Sequence, residues 1–519
     1  MKKAGKRAFE RVETWFNMVF GSSNNPLYHL GALSFYFYFI VIGTGIYLFI
    51  YYPPSVNGSF DMMEYLSNEQ WYLGGIMRSL HRYASDALVL VMLLHMLREY
   101  CMDRYRGARW FSWLTSVPIL LLVFPIGITG YWLVWDQLGQ FIAVRSSEWL
   151  DWLPIVAEPI ARNFLTSTSV TDIFFRLMFI VHIAMSIFLV VAFFAHVKKI
   201  SNSDINPPAP LAWGTMAALL VLSLIEPVYS HARGDLSIAP TVLQLDWFYM
   251  FVYPLMDVWS MGAVWALAFA FLLLVALLPW LPAKAQEHCA DVWLDECSGC
   301  GLCVADCPYE ALYMQGRTDG HKRFNAEVMV IPKNCVSCGI CVGSCPSSTP
   351  FRHTSELRTG IDLPSRNIQH LRSQTLEALS KLSGEAKVIV YGCDHGADLS
   401  RLESSGVVTM TLPCIGALPP SFIDYAMRHG ADGVFLTGCR SGDCLHRFGN
   451  TWTEERLNES REPYLRHWVP RQRLHYFWAA SIDFKSLSCE LSEFRHKLSQ
   501  QEQETILLER RSRNDANHD

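Results

Sequence analysis

The chain has 519 residues, of which 51% are hydrophobic, and its mean hydropathy is +0.17. This composition argues against an ordinary soluble globular protein, and a net charge of only −5 gives no reason to expect a polyanionic partner such as nucleic acid. The long apolar runs lie in residues 30–281, whereas 14 of the 15 cysteines follow residue 288. The sequence therefore predicts a membrane half joined to a soluble half.

Six apolar stretches are long enough to cross a bilayer, which takes about 20 mostly apolar residues. The N-terminal segment and the loop after the second stretch are rich in Lys and Arg, whereas loop 53–75 has acids but no Lys or Arg. Since basic loops stay in the cytoplasm, we predict a multi-pass protein of the cell inner (cytoplasmic) membrane with a cytoplasmic N-terminus and a cytoplasmic cysteine-rich half. The six stretches are residues 31–52, 76–100, 113–134, 174–197, 211–229 and 258–281.

The second and fourth apolar stretches each contain two histidines, His81 with His95 and His182 with His196. Ionisable residues inside a membrane are usually functional. The members of each pair are 14 residues apart, which is about 21 Å along a helix and nearly four full turns, so they share one face. A single intramembrane histidine can be a hydrogen-bonded packing residue. Two matched pairs instead predict two b haems, with His81/His182 on the outer side and His95/His196 on the cytoplasmic side.

The region around these histidines resembles cytochrome b of the quinol-oxidising bc and b6f complexes, most closely the b6 type. The matching motifs are RSLHRY at 78–83, LHMLR at 94–98, GYWLVWDQ at 130–137 and WLPIVAE at 152–158. Residues 206–281 resemble the first two helices of the family's C-terminal part. The resemblance implies an all-α transmembrane bundle of about six helices that uses quinone or quinol as substrate. It also implies a homodimer, because bc-type cytochromes are usually dimeric.

The same resemblance implies roles for residues near the histidines. Arg82 and Arg176 match positions that contact haem propionates, which suits the forked guanidinium group. Gly31, Gly45 and Gly130 match glycines that let the porphyrin approach the helix backbone. These five residues are therefore candidate haem-pocket residues.

Residues 245–249 read LDWFY where the outer quinol site of the family carries Pro-Glu-Trp-Tyr. With Tyr131 from the third span, Asp246 and Trp247 are the candidate outer quinone-site residues. Asp in place of Glu shortens the reach of the carboxylate by one methylene. We therefore expect a pocket that still binds quinone but has a geometry different from that of the family.

His29 stands just before the first span, where b6 proteins have the Cys that holds an extra haem near the cytoplasmic quinone site. An imidazole at this position could ligate a third haem or hydrogen-bond a quinone. The alternative is an interfacial histidine that faces the lipid headgroups, and the sequence leaves these readings open.

The pattern CxxCxxCxxxCP occurs twice, in residues 297–308 and 335–346. It is the run of bacterial ferredoxins, in which three cysteines bind one [4Fe–4S] cluster and the fourth binds the other. A zinc site would instead use two CxxC pairs. The sequence therefore predicts one cluster held by Cys297, Cys300, Cys303 and Cys345 and a second held by Cys307, Cys335, Cys338 and Cys341.

Farther along the chain, apolar runs alternate with helical stretches, which predicts a small parallel α/β sheet. The runs are residues 387–391, 407–412, 433–437 and 474–480. Three of them end at cysteines, and the carboxyl ends of parallel strands are where such sheets build their sites. Four thiolates there predict one [2Fe–2S] cluster, with structural zinc as the alternative. The four residues are Cys393, Cys414, Cys439 and Cys444.

The sequence of residues 431–450 resembles the small iron–sulfur subunit of methyl-viologen-reducing hydrogenase. The resemblance extends over about residues 385–480. In that family the subunit passes electrons between a redox enzyme and the flavin protein of heterodisulfide reductase. The resemblance therefore implies cytoplasmic partners of that kind, namely the flavin and iron–sulfur subunits of a heterodisulfide-reductase-like complex.

The order of these parts predicts an electron wire from the quinone pool through two haems and two [4Fe–4S] clusters to one [2Fe–2S] cluster and a soluble partner. No nucleotide-binding or flavin-binding motif is convincing, so we expect no soluble-substrate site in this chain. We predict a subunit of a quinone-linked oxidoreductase; the alternative is a membrane anchor and electron conduit for a hydrogenase or dehydrogenase, without a quinone site. The predicted parts are a di-haem membrane domain (1–205), cytochrome b C-terminal-like helices (206–282), a ferredoxin-like domain (283–355), a linker (356–384), the α/β domain (385–480) and a charged helical tail (481–519).

Overall fold

The computed structural model describes residues 2–154, 165, 170–198, 205–240, 242–281, 288–352, 354 and 356–515. Their Cα positions divide into two compact units. The first unit holds the described residues of 2–6 and 16–281, and the second holds those of 7–15 and 288–515. The last four residues of the predicted WLPIVAE motif, 155–158, lie outside the described residues.

The described residues up to 281 form mostly helices. Their central helices are apolar over most of their length, so they need other helices or lipid around them. The helices are α1 (Lys2–Phe20), α2 (Leu30–Tyr51), α3 (Gly58–Asn68), α4 (Ile76–Cys101), α5 (Trp110–Val134), α6 (Gln137–Asp151), α7 (Asp172–Val197), α8 (Ala209–Ile225), α9 (Trp247–Met250), α10 (Val252–Val258) and α11 (Met261–Leu277).

Five helices among the described residues are long and apolar enough to cross a membrane. They are α2, α4 with the turn that precedes it, α5, α7, and α11 with the turn that follows it. The predicted fifth span, residues 211–229, corresponds to the shorter apolar helix α8, which has 17 residues and ends at Ile225. It ends there because Glu226 precedes Pro227, and a residue before proline is disfavoured in helical conformation. The bundle of about six apolar helices that we predict therefore consists, among the described residues, of five long helices and the shorter α8.

The long helices of the first unit pack chiefly in two pairs, α2 with α4 and α5 with α7. Apolar side chains from all four contribute to a shared core, for example Phe35, Leu88, Val123 and Leu189. The four intramembrane histidines lie on α4 and α7, which belong to different pairs. These two helices do not pack closely along each other over their described residues.

The two CxxCxxCxxxCP segments fold alike in the second unit. In each, a glycine with a left-handed backbone precedes a one-turn helix that carries the third cysteine. Gly301 has φ 78° and Gly339 has φ 76°, values that a residue with a Cβ adopts only with strain. The elements of this part are β1 (Asp291–Val292), α12 (Leu302–Ala305), β2 (Leu312–Gly316), β3 (Ala326–Val330), α13 (Ile340–Gly343) and β4 (Ile361–Asp362), with β1 antiparallel to β4 and β2 antiparallel to β3.

The predicted parallel sheet is confirmed. It has the strand order β6-β5-β7-β8, and all its pairings are parallel. The strands are β5 (Val388–Cys393), β6 (Val407–Leu412), β7 (Gly433–Gly438) and β8 (Leu474–Trp478), and the helices of this part are α14 (Ile368–Ser380), α15 (Ser421–Arg428), α16 (Gly449–Leu457) and α17 (Phe484–Asp515).

The stretches that we predict as a linker and a tail contain parts of the core of this unit. Helix α14 lies within residues 356–384 and buries Ile368, Leu371 and Leu379 against the sheet. The first half of α17 buries a stripe spaced as one helical face, Leu487, Leu491, Phe494 and Leu498. The high charge of both segments conceals these apolar stripes in the sequence.

One buried arginine joins the cysteine segments to the α/β part. The Arg456 guanidinium donates to Asp306 (2.6 Å), to the Ser344 hydroxyl (2.6 Å) and to the Gly416 carbonyl (3.0 Å). The side chains of Arg456 and Asp306 are only 1% and 3% exposed, and this burial lowers the pKa of Arg456. Arg461 holds the second oxygen of Asp306 at 2.6 Å. The two parts are therefore fixed to each other by a desolvated ionic network.

Candidate functional site

The two histidines that the sequence predicts on the outer side, His81 and His182, are held in equivalent ways, and we call them the outer pair. Nδ1 of His81 donates to the carbonyl of Val41 (3.0 Å), and Nδ1 of His182 donates to the carbonyl of Ile126 (3.0 Å). A carbonyl only accepts, so the proton lies on Nδ1 and Nε2 keeps the lone pair that binds a metal. Each ring is thereby oriented by the helix that packs against its own, α2 for His81 and α5 for His182.

Threonine side chains also contact these imidazoles, and the sequence analysis missed them. Thr44 and Thr129 each lie 3.1 Å from Nδ1 of the outer histidines, and Thr115 lies 2.9 Å from Nδ1 of His196. A signal was present in the sequence, because Thr44 and Thr129 immediately precede the candidate pocket glycines 45 and 130.

The three candidate glycines lie against the histidine rings. A Cβ built on Gly45 would come within 3.1 Å of the His81 ring, and one on Gly130 within 3.3 Å of the His182 ring. A Cβ on Gly31 would lie 3.7 Å from the His95 ring. A side chain at these positions would occupy the space beside each imidazole, so the bare backbone leaves room there for a flat macrocycle.

The structure brings the four histidines together in two pairs. His81 is close enough to His182, and His95 to His196, for each pair to interact electrostatically. Because α4 and α7 do not pack closely on each other, each pair spans a separation between helices. Four imidazoles beside bare backbone are the donor set that two b haems need, so the residues present fit that group.

The candidate quinone-site residues meet at one place in the first unit. Asp246 is ion-paired with Arg82 and accepts a hydrogen bond from the Tyr131 hydroxyl. The Arg82 guanidinium also lies 4.4 Å from the centre of the Tyr131 ring and 3.3 Å from Asp86. Trp247 is 72% exposed and does not close over this group.

The two candidate propionate-binding arginines differ. Arg82 contacts carboxylates, which have the same chemistry as a haem propionate. Arg176 is exposed and makes no ion pair within the described part of the chain. Nε2 of His29 lies 2.9 Å from the Ser23 carbonyl, just before the start of α2.

In the second unit, the structure brings the cysteines of the two ferredoxin-like segments together in two sets. Cys303 lies within electrostatic range of the other three members of its set, Cys297, Cys300 and Cys345. One cavity is lined by all four cysteines of the other set, Cys307, Cys335, Cys338 and Cys341. Each set thus combines three cysteines of one segment with the fourth of the other. Burial raises the pKa values of the Cys303 and Cys338 thiols to about 12, so loading of either set is coupled to proton release.

The four C-terminal cysteines also converge, at the carboxyl ends of β5, β6 and β7. The sulfurs of Cys393 and Cys439 are 3.7 Å apart. A Cβ built on Gly449 would approach the sulfurs of both Cys414 (2.2 Å) and Cys444 (3.3 Å). All four side chains are buried. Buried thiols around bare backbone fit a sulfur-ligated metal centre.

Residues next to these cysteines build a polar shell that the sequence did not reveal. Arg440, directly after Cys439, holds both oxygens of Asp483 at 2.6 Å and donates to the Glu10 carbonyl (3.0 Å). The Tyr309 hydroxyl is hydrogen-bonded to Nδ1 of His446 at 2.8 Å. Within the described residues, no group of three or more His, Cys, Asp or Glu side chains has the spacing of a single-metal-ion site.

Comparison with known proteins assigns three parts of the chain. The family description "Cytochrome b/b6/petB" matches residues 17–203, "4Fe-4S dicluster domain" matches 296–349, and "Methyl-viologen-reducing hydrogenase, delta subunit" matches 391–501. Cytochrome b6 of Prochlorothrix hollandica is 30% identical over 185 residues, which is 36% of this chain and 83% of that protein. A solved structure described as "Hyperthermophilic respiratory Complex III" aligns with 49% of this chain and 75% of its own at 21% identity and a TM-score of 0.42.

These matches, with the apolar helices and the grouped cysteines, define a multi-pass membrane subunit of electron transfer that contains b-type haem and iron–sulfur modules. The chain belongs to the cytochrome b/b6 family through its N-terminal part. Its C-terminal part is similar to the delta subunit of methyl-viologen-reducing hydrogenase. The resemblances stated from the sequence are confirmed.

Proposed function

We propose that this chain moves electrons between the quinone pool and a cytoplasmic heterodisulfide-reductase-like complex, as a subunit of a quinone-linked oxidoreductase. The observation that carries the quinone part is the convergence of Asp246, Tyr131 and Arg82 in the unit that holds the paired histidines. The proposed route uses two b haems, two [4Fe–4S] clusters and one [2Fe–2S] cluster. In this proposal the N-terminus and the cysteine-rich half face the cytoplasm.

The ligand sets of this proposal follow the groupings described above. His81 and His182 would hold one haem and His95 and His196 the other, and the three sets of four cysteines would hold the clusters. When bound, these groups supply one-electron transfer. The chain's residues orient the imidazoles through Nδ1, keep backbone beside the rings free of side chains, and bury most of the thiolates.

At the quinone site, the residues are arranged to handle a proton. Quinol oxidation releases two electrons and two protons, and Asp246 is a carboxylate that can accept one of these protons. Arg82 pairs with this carboxylate, burial raises the pKa of Asp246, and the Tyr131 hydroxyl fixes its orientation. In the reverse direction the same carboxyl group would deliver the proton.

Replacing Asp246 by Asn should lower quinone-linked turnover at least about tenfold, the low side of typical acid–base contributions, while both haems remain. Asn keeps the size of the side chain but can neither accept the proton nor pair with Arg82. Turnover with a soluble quinol and an artificial acceptor measures the effect. Asp257→Asn, which removes another Asp–Arg pair in the same unit, is the matched control. Wild-type turnover in Asp246→Asn would show that quinone reacts on the cytoplasmic side and not at this site.

The alternative function is an anchor and conduit for a hydrogenase or dehydrogenase, without a quinone site. The two functions differ in how the haem spectrum responds to quinol. On our proposal, quinol reduces the haems of the wild-type chain and a site inhibitor blocks this reduction. If quinol leaves the haem spectrum unchanged, the chain is a conduit.

The full chain should contain about ten non-haem iron atoms, because twelve cysteines form three complete ligand sets for two four-iron clusters and one two-iron cluster. Total iron minus haem iron, measured on the purified full-length protein, gives this number. Zinc is measured in the same samples. A result of about eight non-haem irons together with one zinc would show that the C-terminal set holds structural zinc and not a [2Fe–2S] cluster.

A further inference from the structure

The three cysteine sets of the second unit have a definite spatial order. Cys338 packs against the buried cluster formed by Ile340, Cys414 and Trp452, so the C-terminal set is next to the set lined by that cavity. Cys341 of the cavity set belongs in turn to the same buried cluster as Cys303. The set with Cys297, Cys300, Cys303 and Cys345 is therefore at one end of the row, and the C-terminal set is at the other end.

The two ends of this row differ in their access to solvent. All four C-terminal cysteines are buried. At the opposite end Cys300 is exposed, and it is the one exposed residue among the twelve cysteines of the three sets, all of which the structure describes. Electron transfer needs close approach between the redox centres of the two proteins. Since Cys300 is exposed, its end of the row is the one that a soluble partner can approach more closely.

The loop that carries Cys300 is held against the β2–β3 hairpin. Arg317, at the start of the hairpin turn, donates to the carbonyl of Cys297 (2.6 Å) and to that of Leu294 (2.5 Å). A Cβ on Gly299 would lie 2.3 Å from the carbonyl of Ala326 in β3. The hairpin turn is thus attached directly beside Cys300.

That turn adds positive charge to the surface. Lys322 and Arg323 are exposed and form no ion pair with any described residue, whereas the nearby Asp319 is already paired with Arg317 at 2.7 Å. On the other side of the loop, Trp293 is 41% exposed and lies 4.4 Å below the guanidinium of Arg358. Asp295 is the exposed acid of the loop itself. Exposed Trp and Arg beside a basic turn match the residues that are enriched at protein interfaces.

We infer that the soluble redox partner docks over Cys300, on the surface formed by Trp293, Cys300, Lys322, Arg323 and Arg358, and that it presents carboxylates around its own redox centre. We call this surface the Cys300 face. The inference rests on the proposed function. It places the contact with the partner at a [4Fe–4S] set, whereas the order of the sets along the chain would place it at the C-terminal set. One electron passes per encounter: one centre loses it, the other gains it, and no atoms are transferred.

The test uses the purified full chain and reduced flavodoxin, an acidic soluble one-electron donor, in stopped flow at low ionic strength. Flavodoxin loses one electron and a cluster gains it, which is seen as bleaching of the iron–sulfur absorbance. Lys322→Glu with Arg323→Glu should lower the second-order rate constant about tenfold, since charge around a docking site acts mainly on the association rate. Lys381→Glu with Lys485→Glu makes the same charge change at exposed sites of the α/β part and should leave the rate within about twofold.

Further readouts separate this inference from the proposed function. Cluster content measured by electron paramagnetic resonance and the quinol-driven haem reduction should be unchanged in both variants. The difference between variants should shrink in about 1 M salt, where screening acts within about 3 Å. Equal rate constants in the two double variants at low salt would disprove docking at the Cys300 face. A rate constant lowered only in the control variant would show that the partner docks on the α/β part. Failed quinol reduction in the unmodified chain instead overturns the quinone part of the proposed function.

Discussion

Replacing His95 by Leu should leave the chain with one b haem in place of two. The variant removes one imidazole of the cytoplasmic-side pair, and His196 alone would be a single axial ligand. The outer pair keeps both its rings and their bonds to the Val41 and Ile126 carbonyls, so its haem should remain. Pyridine-haemochrome quantitation per chain gives the stoichiometry, and low-temperature spectra identify the haem that stays.

His231→Leu is the matched control, because it removes a histidine of the same unit that lies outside the paired sites. It should retain two haems. An unchanged haem stoichiometry in His95→Leu would disprove the assignment of the cytoplasmic-side pair. Loss of both haems would show instead that the two sites assemble only together.

Replacing Arg456 by Met should destabilise the second unit by about 3 kcal/mol, the low end of the 3–5 kcal/mol typical when one partner of a buried ion pair is removed. We expect the low end because Asp306 keeps its bond to Arg461. The variant leaves the buried Asp306 and Ser344 without their principal donor. At roughly 2–4 °C per kcal/mol for a domain of this size, the midpoint should fall by about 6–12 °C.

Loss of iron–sulfur absorbance on heating the full chain follows this transition separately from the haem bands. Arg471→Met is the control, since it breaks an exposed pair with Glu459 and should cost less than about 1 kcal/mol. The double variant Arg456→Met with Asp306→Leu should recover part of the loss by removing the uncompensated charge. A midpoint equal to that of Arg471→Met would show that the buried network does not stabilise the unit.

Regular spacing is what made most of this molecule predictable. The 14-residue histidine pairs, the repeated CxxCxxCxxxCP pattern and the apolar runs of the sheet each reflect one local geometry, and the structure groups the predicted residues accordingly. The helix of the fifth predicted span is shorter than predicted because hydropathy alone does not register the effect of Pro227 on the residue before it. The core stripe of α17 was missed because its charged face dominates the composition.

Other features depend on contacts between distant parts of the chain. The ionic network around Arg456 connects residues 306, 344 and 416, which no local pattern relates. The position of the C-terminal cysteines next to Cys338 likewise arises from how the α/β part packs on the cysteine segments. Linear order suggested that the partner meets the last set, whereas exposure favours the set with Cys300.

The two outer histidines are held by equivalent contacts, and this equivalence has a consequence for assembly. Val41, Thr44 and Gly45 surround His81 as Ile126, Thr129 and Gly130 surround His182, with identical spacing in the sequence. The helix pairs α2/α4 and α5/α7 thus each supply one histidine of the outer site, with the same arrangement of neighbouring residues. Neither helix pair holds both imidazoles of the outer site by itself, so a haem bound there would link the two pairs. We therefore expect the membrane half to reach its final fold only when this haem is bound.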